Sequence, residues 1–222
     1  MEVIKQLIDF ILHIDTHLYE WVLNYQTWTY LILFTIIFCE TGLVVTPFLP
    51  GDSLLFAAGT IAAMEGHPLN IVVLIIVVMF AAFAGDNTNF FVGKFLGKKV
   101  YEKNYKLIKR EYLDKTHAFY EKHGGKTLII ARFLPIIRTF APFVAGVGEM
   151  KYMRFISFSV IGNILWVNTF VWFGYFVVEI GSYFFNNPNW GKENFSKIVL
   201  TIIFISLLPT IVAIFKQKFS KK

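Results

Sequence analysis

Charge is scarce in this sequence. Charged residues make up 16% of its 222 positions, where soluble domains carry about 25%. Hydrophobic residues make up 56%. That balance argues against a sizeable soluble domain and for a single compact membrane domain spanning residues 1–222. Cysteine occurs once, at Cys39, so an intramolecular disulfide is excluded. No His-Glu-x-x-His or Gly-x-Ser-x-Gly motif occurs, which removes two common hydrolase signatures. Asp52 and Asp86 each follow a glycine, but Leu49 and Phe83 stand where an intramembrane aspartyl protease needs the first glycine of Gly-x-Gly-Asp. Neither an enzyme nor a cofactor is expected. The N-terminus has no strongly basic segment with a small-residue cleavage site, so no removable signal peptide is expected.

What is present is a series of apolar runs with charges in unusual places. The net charge of +6 is no nucleic-acid signal, because the basic residues cluster beside hydrophobic spans, as the positive-inside rule and anionic lipid require. Residues 1–26 place Leu7, Ile11, Ile14 and Leu18 at spacings of three and four among charges, which reads as an interfacial amphipathic helix. His13 and His17 lie one turn apart there, but with no third ligand they read as a solvated face, and no metal is expected.

Residues 28–64 are apolar around Pro47 and Pro50-Gly51-Asp52, a break that no straight helix survives. The limb after it, residues 54–64, spans only about 17 Å as a helix against a hydrocarbon core of about 30 Å. A re-entrant hairpin accommodates it. Residues 69–92 read as a transmembrane segment whose clean apolar part ends at Gly85-Asp86-Asn87. Residues 94–126 are a lysine-rich loop, expected to be cytoplasmic. Residues 127–148 hold Arg132, Pro135, Arg138 and Pro142 and read as a second hairpin. Residues 155–178, with Asn163, and 198–215 complete the spans, with a lysine-poor loop at 181–197 and a basic, cytoplasmic C-terminus. Counting crossings sends the two hairpins in from opposite faces, the pattern of an inverted repeat with its site at the repeat interface. The expected fold is thus an all-α integral membrane protein of two opposed hairpins, full spans and an amphipathic N-terminal helix.

Intramembrane charges cost about 2.5–3.5 kcal/mol each on insertion scales, so Glu40, Asp52, Arg132 and Arg138 demand a function. Guanidinium groups offer paired planar donors that suit a phosphate, and short helices after Asp52 and Thr139 would aim N–H groups inward. Arg132 and Arg138 are therefore the phosphate-binding candidates. Glu40 is a candidate proton carrier, and Asp52 a coupling group or helix cap. The alternative is that Arg132 pairs with Asp52 and Arg138 with Glu40 and that these pairs only join the hairpins. Pro50, Gly51, Asp86, Asn87, Pro135 and Asn163 are assigned structural or gating roles, with Asp86 expected at a span end beside the basic loop.

Glu40, the stretch Phe48-Leu49-Pro50-Gly51-Asp52, Gly85-Asp86-Asn87 with Gly93, Lys94 and Gly97, and the run from Ala131 through Arg132, Pro135 and Arg138 to Phe140 together resemble the DedA family of bacterial membrane proteins. The wider group includes eukaryotic lipid scramblases with the VTT domain. The resemblance covers roughly residues 15–180. Phe91 and Lys94 depart mildly from it, standing where Tyr and Arg are common. It implies opposed re-entrant hairpins and lipid translocation, with Glu40, Asp52, Arg132 and Arg138 at positions held to be essential. The implied substrate is undecaprenyl phosphate, moved across the inner membrane with proton or sodium coupling. A phospholipid scramblase and an ion-coupled small-solute transporter are the alternatives. The expected partners are lipid phosphate, protons or sodium, and membrane lipid, with no nucleic acid. A homo-oligomer is compatible with the sequence.

Overall fold

Helix boundaries here follow from backbone rules that act over one or two residues. A computed structural model describes residues 22, 25, 27–43, 51–64, 66, 68–96, 110–195, 197, 198, 200 and 201. Among these all regular structure is helical: α1 (Thr27–Gly42), α2 (Gly51–Ala62), α3 (Ile71–Leu96), α4 (Arg110–His123), α5 (Thr127–Ile130), α6 (Pro135–Val147), α7 (Tyr152–Phe184) and α8 (Trp190–Glu193). Two 3₁₀ turns, Gly124–Lys126 and Ala131–Phe133, flank α5. Asn70 starts α3: its Oδ1 accepts from the N–H groups of Val72 and Val73 at 3.0 and 3.1 Å, an N-cap. Pro135 starts α6, where its missing N–H costs nothing. Proline also pushes the preceding residue out of helical geometry, and Leu134 is extended at φ −121°, ψ 101°.

Only α3 and α7 are long and apolar enough to cross a bilayer among the described residues. Helices α1 and α2, with 16 and 12 residues, span about 24 and 18 Å, short of the roughly 30 Å core. The expected N-terminal amphipathic helix with His13 and His17, the turn of the first hairpin including Pro50, and most of the 198–215 span lie outside the described residues.

Three expectations change. The helix expected over 69–92 passes unbroken through Gly85-Asp86-Asn87, where its clean apolar part was expected to end, and runs on to Leu96. Gly85 is there for close packing: a Cβ on it would lie 1.9 Å from Thr41 Oγ1. The span expected at 155–178 runs from Tyr152 to Phe184, absorbing the start of the polar loop. Part of the basic loop is helix α4.

The chain forms two compact units, each discontinuous in sequence. Unit 1 comprises residues 1–30, 50–75 and 168–222, and unit 2 comprises 31–49 and 76–167. In unit 1, Gly59 of α2 faces the Val171 carbonyl and Gly174 of α7 faces the Phe56 carbonyl. In unit 2, Gly93 of α3 faces the Phe143 carbonyl and Gly146 of α6 faces the Phe90 carbonyl. A side chain at any of the four would bring its Cβ within 2.1–2.2 Å of that oxygen, so glycine is what lets these backbones touch. The core of unit 2 gathers Phe90, Leu128, Ala131, Ala141, Ala145 and Phe155, with the Phe90 and Phe155 rings stacked at 4.2 Å. Leu128 and Ala131 precede the Leu134 break while Ala141 and Ala145 follow it, so the two limbs pack against one another.

Candidate functional site

The break at Leu134 decides where two arginines go. In a straight helix, residues six apart are separated by about 9 Å along the axis and do not share a face. Here Arg132 sits in the 3₁₀ turn before the break and Arg138 in the first turn of α6 after it. Both guanidiniums converge on one indole: their Cζ atoms lie 5.7 and 5.2 Å from the ring centroid of Trp166, within cation–π range. Trp166 is completely buried, and both arginines are buried around it.

Each arginine holds a buried carboxylate. Arg138 Nη2 donates to Glu40 Oε1 at the end of α1. Arg132 Nη2 donates to Asp86 Oδ2 in the middle of α3. The same Asp86 oxygen accepts from Ser159 Oγ and, at 3.2 Å, from Asn163 Nδ2. Two positive and two negative groups make the cluster neutral overall, which is what keeps four charges tolerable in one interior. All four lie in unit 2.

Asn89, one helical turn beyond Asp86, secures the Glu40–Arg138 pair from behind. Its Nδ2 donates to the carbonyls of Thr41, at 3.0 Å, and Thr139, at 2.7 Å. These are the residues next to Glu40 and Arg138, so one amide holds both backbones in register. Tyr120 of α4 adds a second brace, its hydroxyl donating to the Ala141 carbonyl at 2.9 Å. Burial, and then the negative charge of Asp86, push that phenol well above its ordinary pKa, so it stays a donor.

The structure therefore brings Glu40, Asp86, Asn163, Arg132 and Arg138 into one network. Asp86 is central to it rather than at a span end, and it, not Asp52, is the carboxylate bonded to Arg132. Asp52 lies half-buried in the first turn of α2, in unit 1, where a carboxylate suits the positive helix end. Gly51 opens α2 and is buried. Asn87 lies beside the network: its Nδ2 donates to the Phe83 carbonyl at 2.7 Å, and its Oδ1 accepts from Tyr152 Oη at 2.8 Å. Sequence reasoning missed Asn89, Ser159 and Trp166. Ser159, Asn163 and Trp166 are spaced four and three apart, a polar-aromatic stripe on one face of an otherwise apolar span, and that periodicity was the available signal.

Comparison with known proteins agrees with the motifs. The VTT domain matches residues 49–176. The chain is 51% identical over 219 residues to Protein DedA of Escherichia coli K12, covering 98% of this chain and 96% of that protein. It is 41% identical over 179 residues to an uncharacterized membrane protein of Mycobacterium tuberculosis, covering 80% and 75% of the two chains. It is 34% identical over 149 residues to Inner membrane protein YqjA of Escherichia coli, covering 66% of each. No solved structure matches it.

Proposed function

Because the chain belongs to the DedA family of VTT-domain membrane proteins, we propose that it translocates a lipid phosphate, undecaprenyl phosphate foremost, across the bacterial inner membrane. The observation that carries this reading is the pair of buried guanidiniums on one indole, each already matched by a carboxylate. Breaking a buried ion pair without compensation costs about 3–5 kcal/mol. A phosphate that takes an arginine from its carboxylate therefore needs that carboxylate neutralised. A proton arriving with the anion keeps the cluster neutral throughout. Glu40, bonded to Arg138, is the carrier that fits this exchange, and sodium beside the carboxylate would satisfy the same balance.

In this reading residues 28–64 and 127–148 are opposed re-entrant hairpins, and the glycine crossing found once in each unit supports an inverted repeat. The lysine-rich segment and the C-terminus face the cytoplasm. Purified protein in vesicles holding a labelled polyprenyl phosphate tests the function. Transport should follow an imposed proton or sodium gradient, fall at least tenfold in Arg138→Lys, and persist as binding without gradient response in Glu40→Gln. Normal gradient-driven transport by both variants would overturn the reading.

A further inference from the structure

Two guanidiniums gathered in one interior repel each other, and neither can shed its charge, because arginine stays protonated in proteins. In the resting arrangement Glu40 and Asp86 offset that repulsion. During the exchange proposed above a carboxylate lets its arginine go. One attractive partner stays. The Trp166 indole, completely buried, has its ring centroid 5.7 Å from Arg132 Cζ and 5.2 Å from Arg138 Cζ. An indole neither ionises at neutral pH nor leaves. It attracts the cation through the ring quadrupole, so it does not use up the N–H donors for which carboxylate and phosphate compete.

Helix α7 brings the ring there. Ser159, Asn163 and Trp166 share one face at spacings of four and three, and the first two donate to the Asp86 oxygen that Arg132 holds. Gly162, four residues before Trp166, clears the approach. A Cβ there would lie 3.2 Å from the Leu128 carbonyl oxygen, 3.3 Å from Ile129 Cα and 3.5 Å from Arg132 Cγ. The backbone of α5 thus lies against α7, and the stem of Arg132 lies there with it. One helix supplies both the donors that hold Asp86 and the ring that holds its arginine.

We propose that Trp166 is a positioning residue for transport: its ring keeps both arginines in place while they pass from carboxylate to anion. The ring is present with either partner, so its attraction largely cancels between the two end states. It counts most between them, when the guanidinium N–H groups have the fewest partners. Trp166 therefore sets the rate of exchange and not the affinity for the anion. The inference rests on the lipid-phosphate reading above and adds the group that carries the arginines from one partner to the other.

Site-specific replacement of Trp166 by tryptophans carrying one to four ring fluorines tests it, since each fluorine drains charge from the ring face while changing its shape little. The full chain is reconstituted in vesicles with labelled polyprenyl phosphate. The logarithm of the maximal transport rate should fall in step with the number of fluorines, by about tenfold or more across the series. The half-saturating lipid concentration should stay constant. The same series at Trp172, whose ring lies against Tyr175 and Phe176, should leave the rate unchanged. A rate indifferent to fluorination at Trp166, or falling equally at Trp172, would overturn the inference. So would a rising half-saturating concentration at constant rate, which would make the ring part of the anion site. Melting in detergent separates the two readings. Fluorination at Trp166 should lower the melting temperature, and by less in Arg132→Met with Asp86→Leu, where one cation and its carboxylate are gone. If it does so but the protein with native tryptophan moves no lipid, the lipid-phosphate reading falls and takes this inference with it. If transport is intact and melting ignores the fluorines, only the role of the ring falls.

Discussion

In unit 1, α2 and α7 touch through Gly59 and Gly174; in unit 2, α3 and α6 touch through Gly93 and Gly146. Each glycine lies three residues after the one whose carbonyl meets the other helix's glycine, so the two crossings share one local design. Their surroundings differ. Beside the unit 1 crossing, Thr60 Oγ1 bonds the Phe56 carbonyl at 3.0 Å and the Gly174 carbonyl at 3.4 Å. Unit 2 also holds Glu40, Asp86, Arg132 and Arg138, the buried charged residues among those described. Close helix contact is thus a repeated means of construction, while the buried charges lie in one of the two units.

The largest way to break this comparison is through the charges. Arg132→Met strands Asp86 in the interior and should destabilise the protein by about 3–5 kcal/mol. Adding Asp86→Leu removes the stranded charge and should recover most of that loss, while transport stays abolished in both. Thermal unfolding in detergent alongside vesicle transport reads the two effects separately. Equal destabilisation of single and double variants would mean that the pair is not coupled.

Next come the glycines. Gly59→Val and Gly93→Val force a Cβ into a carbonyl at nearly the same distance, 2.1 and 2.2 Å, and each should cost at least about 1–3 kcal/mol by overpacking. A large loss for Gly93→Val with none for Gly59→Val would show that the crossings are not equivalent.

The smallest effect sharpens the comparison. Thr60→Val and Tyr120→Phe each delete a hydroxyl bonded to a backbone carbonyl, worth roughly 0.5–1.5 kcal/mol. Only the second should change the pH dependence. An unfolded tyrosine ionises near pH 10, while burial raises the folded Tyr120 pKa, so above about pH 10 the folded state keeps a proton that the unfolded state has lost. Stability then falls as pH rises, by at most about 1.4 kcal/mol per unit for this group. Tyr120→Phe should start weaker than the parent at neutral pH and close the gap above pH 10, with Thr60→Val running parallel to the parent throughout. Melting curves between pH 7 and 11 decide it.

Some of this could be read without a structure, because the forces involved are local. Apolar runs and the scarcity of charge announce membrane helices, and a proline forces the residue before it out of helical geometry, so the Leu134 break and the prominence of Arg132 and Arg138 follow from a few consecutive residues. Other features depended on partners far away in the chain. Gly85-Asp86-Asn87 looks like the end of a helix until Thr41 is seen against Gly85 and Arg132, 46 residues on, is seen neutralising Asp86. Glu40 and its arginine are 98 residues apart, and Asn89 has no distinguishing neighbours in sequence. A buried charge has to be neutralised, but which residue does it depends on where helices cross, and that is decided only when the chain packs.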